Sequence, residues 1–150
     1  MTKRWFALFG VLTVLTAAEA QAQVAGTYTW EFPARVRRDD GGETVEQKGL
    51  AKLTITVKGD SILGSLASSV PGMPAQPDRP VRGTVKGNAI EFRLNSQARM
   101  VTNGEERTVD TVQIYNATIT GDAIKVTMTP QVTDGSVSLP ARSFEGKRTT

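Results

Sequence analysis

Asp39-Asp40 and Glu105-Glu106 are adjacent carboxylates, the residue type that general acid–base chemistry most often recruits after histidine. Such chemistry needs two groups converging on one substrate, whereas neighbours on an extended chain point to opposite faces. Both pairs also adjoin glycines, so they read as solvated turns. The run Asp39-Asp40-Gly41-Gly42-Glu43 offers oxygen ligands but lacks the alternation of a calcium loop. The chain has no histidine, and with it the commonest acid–base catalyst and the commonest metal ligand are gone. No serine or threonine therefore has a histidine partner, and no glycine loop leads into a helix to cradle phosphate. These residues predict a protein that is not an enzyme and carries no metal or other cofactor.

The arginines Arg35, Arg37, Arg38, Arg79, Arg99 and Arg107 could receive an anionic head group. Acidic residues share their segments (Asp39, Asp40, Asp78, Glu105, Glu106), which favours a solvated rim. Tyr28 and Trp30 are aromatic anchors, read first as core and second as a stacking surface for a ligand.

Which of these groups can meet depends on the elements that carry them. The first 22 residues read as a signal peptide: Lys3 and Arg4, an apolar run from Trp5 to Ala18, then Ala20-Gln21-Ala22. The apolar run falls short of the about 20 residues of a membrane span. Cleavage after Ala22 leaves residues 23–150 as a single domain, periplasmic or secreted, with no integral membrane span. Leaving out Lys3, Arg4 and Glu19 reduces 18 basic and 15 acidic residues to 16 and 14. That interleaved balance is a solvated surface and excludes a nucleic-acid footprint. The absence of cysteine excludes disulfides and a lipid-modified cysteine.

Beyond the leader, apolar and polar residues alternate with period two, and one turn recurs. Val57-Lys58-Gly59-Asp60-Ser61-Ile62 returns as Val85-Lys86-Gly87-Asn88-Ala89-Ile90 and as Ile119-Thr120-Gly121-Asp122-Ala123-Ile124. Glycine first in a two-residue loop suits a type II′ turn, and such a loop fixes register. Val57 then faces Ile62, Val85 faces Ile90 and Ile119 faces Ile124, all on one apolar face. Asn103-Gly104 predicts a further hairpin that pairs Met100 with Arg107, Ser96 with Thr111 and Phe92 with Tyr115. The turns delimit about eight strands, near 25–38, 43–57, 61–67, 80–86, 89–102, 105–119, 123–130 and 141–148. Short links make an antiparallel up-and-down meander, and eight strands can close into a barrel without exposed edges. Outward positions are Thr, Lys, Glu and Arg, unlike the apolar belt of an outer-membrane barrel.

In Gly26-Thr27-Tyr28-Thr29-Trp30 and Phe144-Glu145-Gly146-Lys147-Arg148 the chain resembles the lipocalin- and avidin-like (calycin-type) small secreted bacterial β-barrel proteins. Those proteins open with a Gly-x-Trp strand and close on a strand carrying Phe and a basic residue; Tyr28 stands at the place of that Trp. The resemblance implies that Arg148 lies across an aromatic of the first strand at the closed end, a structural contact.

In an up-and-down barrel the Gly-Asp/Asn turns share one end with both termini. The longer links gather at the other: 37–43, 68–79, the Asn103-Gly104 tip and 131–139. That loop-rich mouth is where a ligand would enter. The segment Ser68 to Pro77 is Pro-rich and reads as a lid or a stiff connector. Parity turns Arg107 inward beside Met100, with Gln113 deeper on the same strand face, and strands of 14 or 15 residues outrun their neighbours, which favours a hairpin projecting into water. The residues predicted to contact a ligand are Arg107, Gln113, Met100, Phe32 and Trp30. A barrel this size is either filled by side chains or holds one small ligand. The leading expectation is a binding module for a small apolar or amphiphilic ligand. The alternatives are a protein-interaction module (a protease inhibitor or an envelope or adhesion factor) and a purely structural barrel.

Overall fold

The computed structural model describes residues 23–37, 42–135 and 139–149; the predicted signal peptide and its cleavage site lie outside them. Eight antiparallel strands follow one another around a closed barrel. They are β1 (Gly26–Arg37), β2 (Thr44–Lys58), β3 (Ser61–Ser69), β4 (Arg79–Lys86), β5 (Ala89–Thr102), β6 (Glu105–Thr120), β7 (Ala123–Val132) and β8 (Arg142–Thr149). The barrel closes where β8 pairs with β1, from Thr27 opposite Thr149 to Trp30 opposite Gly146.

The repeated turns set the register that hydrophobic parity predicts. Val57 pairs with Ile62, Val85 with Ile90 and Ile119 with Ile124. Gly59, Gly87 and Gly121 have φ of 61°, 60° and 59°, and no other turn residue there has positive φ, which is type II′ geometry. Asn103 and Gly104 are both positive, at 54° and 79°, which is type I′ geometry. Each II′ turn is tied to the strand that follows. The N–H groups of Val85, Ile119 and Arg148 donate to the carbonyls of Asp60, Asn88 and Asp122 at 2.9, 2.9 and 2.7 Å. This end of the barrel is thereby laced shut.

Inside, Ile55, Leu53, Ile62, Val81, Ile90, Phe92, Ile124 and Val126 form a continuous buried core. Glycines let the wall close around it. A Cβ on Gly64 would lie 1.8 Å from the Thr54 carbonyl oxygen, and one on Gly83 2.0 Å from that of Glu91. Glycine is the residue that permits such approach between neighbouring backbones.

The residues that lead into β1 plug the closed end. Val24 is buried, and its carbonyl accepts a 2.7 Å hydrogen bond from the Tyr28 hydroxyl. Arg148 lies over the Tyr28 ring, 4.9 Å from its centroid. Its guanidinium also donates to the carbonyls of Ala25, at 2.6 Å, and Gln23. Gly26 leaves room for it, since a Cβ there would meet Nη1 at 2.4 Å.

At the other end the strands differ in length, and two pairs outrun the barrel. Among the described residues, β1 beyond Trp30 pairs only with β2, and β2 before Leu50 only with β1. Likewise β5 beyond Phe92 pairs only with β6, and β6 before Thr111 only with β5. Two ribbons therefore rise past the barrel, four strands apart in a ring of eight, on opposite sides of the mouth. Seven residues of strand reach roughly 20 Å. Among the described residues no helix is long and apolar enough to cross a membrane.

Candidate functional site

Between the bases of the two ribbons the barrel interior opens into a cavity of about 320 Å³. That is at the lower end of the roughly 300–1,000 Å³ of small-molecule sites. Its wall is built strand by strand at one level. β1 gives Trp30 and Phe32, β2 Ala51, β3 Leu66 and Ser68, β6 Gln113 and Tyr115, β7 Met128, and β8 Arg142 and Phe144. The β3–β4 link lays Val70, Met73, Pro74 and Gln76 along the rim, and Arg79 stands where β4 begins.

The aromatic side chains are seated by what faces them across the ladder. Gly49 opposes Phe32, and a Cβ there would fall 2.3 Å from the ring, so the absent side chain is what lets the ring lie down. Gly146 opposes Trp30 for a different reason: a Cβ there would run into the Thr29 carbonyl, so the glycine lets β8 approach the β1 backbone closely where the barrel closes. Tyr115 stacks on its cross-strand partner Phe92, centroids 4.7 Å apart and planes 5° from parallel. Phe92 is fixed in the core, so the tyrosine hydroxyl is held at a set height on the wall.

That hydroxyl belongs to the site's polar patch. Gln113 Oε1 accepts from Tyr115 at 3.2 Å and from Arg79 Nη1 at 3.2 Å. Arg79 Nη2 donates to the Asn95 carbonyl at 2.7 Å. The patch fills a seam. The β4–β5 ladder ends at Gly83 opposite Phe92, so Val81 and Leu94, which the turn geometry would align next, do not continue it. Above that point β5 has no β4 partner, and the half-buried Arg79 side chain reaches across to its exposed carbonyl edge. Burial raises the Tyr115 pKa above its ordinary value, with Arg79 opposing the rise, so the hydroxyl is a neutral donor at physiological pH.

The rim loop is shaped before any ligand arrives. The Met73 N–H donates to the Val70 carbonyl at 3.1 Å across Pro71-Gly72, and Gly72 has φ of 79°. Proline then glycine with positive φ is a type II turn. It delivers Met73, 44% exposed, to the cavity edge.

Of the residues predicted to contact a ligand, Trp30, Phe32 and Gln113 line this cavity together. Arg107 and Met100 do not line it. They face each other in register on the β5–β6 ribbon, where Arg107 is exposed. Alternation assigns a side chain to a face of the sheet but not to a height along it, and here the ribbon has already left the barrel. The cations at the cavity are Arg79 and Arg142 instead. Arg79 carried a signal, as a basic residue opening a strand much shorter than the next. Phe144 and Arg142 depend on ring closure, which no local pattern reports. Among the described residues no group of three His, Cys, Asp or Glu side chains could hold a metal ion. The Asp39-Asp40 turn lies outside the described residues.

No protein-family model, curated protein or solved structure matches this chain.

Proposed function

We propose that this chain is an exported binding module that takes a small apolar or amphiphilic ligand at the loop-rich mouth of its barrel. The observation that carries this reading is the mouth cavity itself. It is walled by Trp30, Phe32, Leu66, Met128 and Phe144, edged by a preformed loop, and sits above a filled core. Apolar walls with a few convergent polar groups are the usual build of a small-molecule site. Export through residues 1–22 and a lipocalin- or avidin-like ancestry belong to the same proposal. The Arg148–Tyr28 contact at the closed end is the one that the resemblance to those barrels implies, and it supports the likeness.

The test uses an optical probe that the chain supplies. Its two tryptophans are Trp5, within the predicted leader, and Trp30, in the cavity wall, so the processed protein reports from the site alone. Titration of the exported protein with medium-chain fatty acids should change Trp30 emission saturably. Native mass spectrometry should show one adduct per chain. A flat titration together with an adduct-free spectrum would overturn the reading. The two opposed ribbons favour a second one, a protein-interaction module. Among the described residues their outer edges, on the β5–β6 ribbon those beyond Asn95 and before Asp110, pair with no third strand and leave room for another chain to join. Retention of a partner by the parent protein, lost on shortening either ribbon, would support that alternative.

A further inference from the structure

We infer that the mouth cavity is selective for a monoanionic amphiphile whose carboxylate is held on the wall at Arg79 and Gln113, with its apolar body against Trp30, Phe32 and Phe144. This rests on the binding-module reading and adds the sign of the charge and the place of the head group.

Three observations converge on it. First, the described residues lining the cavity include two arginines, Arg79 and Arg142, and no aspartate or glutamate. On the outer surface Arg35, Arg93 and Arg99 have Glu46, Glu91 and Glu106 within 4 Å. Among the described residues neither cavity arginine has a carboxylate within 4 Å, and Arg79 is the half-buried one of the two. Second, the wall patch is organised to donate. Gln113 Oε1 is occupied by Arg79 and Tyr115, an arrangement that fixes the amide's orientation and leaves the Nε2 hydrogens as its unused capacity. Arg79 spends one N–H on Gln113 and one on Asn95, out of five. Third, the hydrogen-bonded patch of Arg79, Gln113 and Tyr115 lies on one side of the cavity at the β4–β5 seam, while Trp30, Phe32 and Phe144 come from β1 and β8, where Arg142 is exposed at the mouth. A ligand with one charged end and one apolar end matches that asymmetry; a wholly apolar one covers the half-buried Arg79 without supplying an anion to it.

Arg79 also holds the seam together, so deleting it would confuse binding with folding. Gln113→Glu avoids this. A carboxylate there still accepts from Arg79 and Tyr115 and is nearly isosteric, but it places a negative charge where the ligand's would sit. The experiment titrates the exported protein and its Q113E variant with decanoate, 1-decanol and decylamine, following Trp30 emission, with thermal melts to verify folding. The expected result is at least about a tenfold preference of the parent for decanoate over decanol, as a charge-assisted pair in a half-buried site provides. In Q113E that preference should vanish, the ratio of decanoate to decanol affinity falling to about one or below. Equal binding of decanoate and decanol by the parent would overturn the head-group assignment and leave the binding module standing. Tighter binding of decylamine than of decanoate would do the same. Retained decanoate preference in a folded Q113E would overturn the placement on this wall. Failure of all three ligands to bind the parent would overturn both readings.

Discussion

Arg148 spans the closing seam of the barrel to lie 4.9 Å over the ring of Tyr28, while its fork binds the carbonyls of Ala25 and Gln23. One side chain thus joins the last strand, the first strand and the chain entering it. Lysine at 148 keeps the charge but loses the planar fork and most of the stacking. Arg148→Lys is expected to cost about 1–2 kcal/mol and Arg148→Ala about 2–3, from the lost hydrogen bonds and cation–π contact together. Urea denaturation checks this, and an unchanged midpoint for the alanine variant would show the contact to be incidental.

The glycines divide into two physical classes that alanine substitution should separate. Gly64 is hemmed in by the Thr54 carbonyl, with 1.8 Å available to a Cβ, and backbone cannot yield as a flexible side chain can. A Cβ on Gly42 would meet no atom of the described residues within 4 Å. Gly64→Ala should lose about 2 kcal/mol or more, in the range of overpacked sites, whereas Gly42→Ala should shift stability by less than about 0.5. Equal melting temperatures for the two variants would contradict the close strand approach at β2–β3.

Alkaline titration offers a third check. Burial raises the pKa of Tyr28, against the lowering influence of Arg148, and that of Tyr115, against Arg79. A phenol whose folded pKa lies above its unfolded value of 10.0 keeps its full contribution to stability below that pH. The contribution is lost as pH rises through the folded value, because the unfolded chain ionises first. The denaturation midpoint should therefore fall above about pH 10. In the Tyr28→Phe, Tyr115→Phe double variant the fall should be shallower, though stability at neutral pH will be lower because the Val24 carbonyl and Gln113 each lose a donor. An equally steep fall in the double variant would assign the alkaline loss to other groups.

The hairpins were legible because a two-residue turn with glycine first admits a single register. Alternation then tells which side of that register is buried, as at Val57 opposite Ile62. Strand ends at the four two-residue turns agreed to within a residue for the same reason. The site was only half legible. Trp30, Phe32 and Gln113 could be found from parity alone. Arg79 acts where it does because β4 parts from β5 above Phe92, a property of how two neighbouring strands diverge. Phe144 reaches the cavity only because β8 returns to β1.

Arg107 and Arg79 illustrate the difference between facing inward and being inside, and they supply the last prediction. Arg107 shares the inward face of β6 with Gln113, yet it is exposed on a ribbon that has left the barrel, level with Met100. Its charge is solvated, and truncation removes only surface. Arg107→Ala should leave stability within about 0.5 kcal/mol and decanoate binding unchanged. Arg79→Ala should weaken both, since it strips the Asn95 carbonyl and Gln113 of a donor at a seam that no ladder bond closes. Breaking a charge-assisted hydrogen bond of this kind costs about 1.5–3 kcal/mol, an amount readily seen in a urea melt. Arg79→Lys, which keeps the charge without the fork, should recover part of the binding but little of the stability, because one ammonium cannot serve Asn95 and Gln113 with the same geometry. If Arg107→Ala instead proved the more damaging, the β5–β6 ribbon would have to fold down over the mouth in solution, and Arg107 would take the place here given to Arg79.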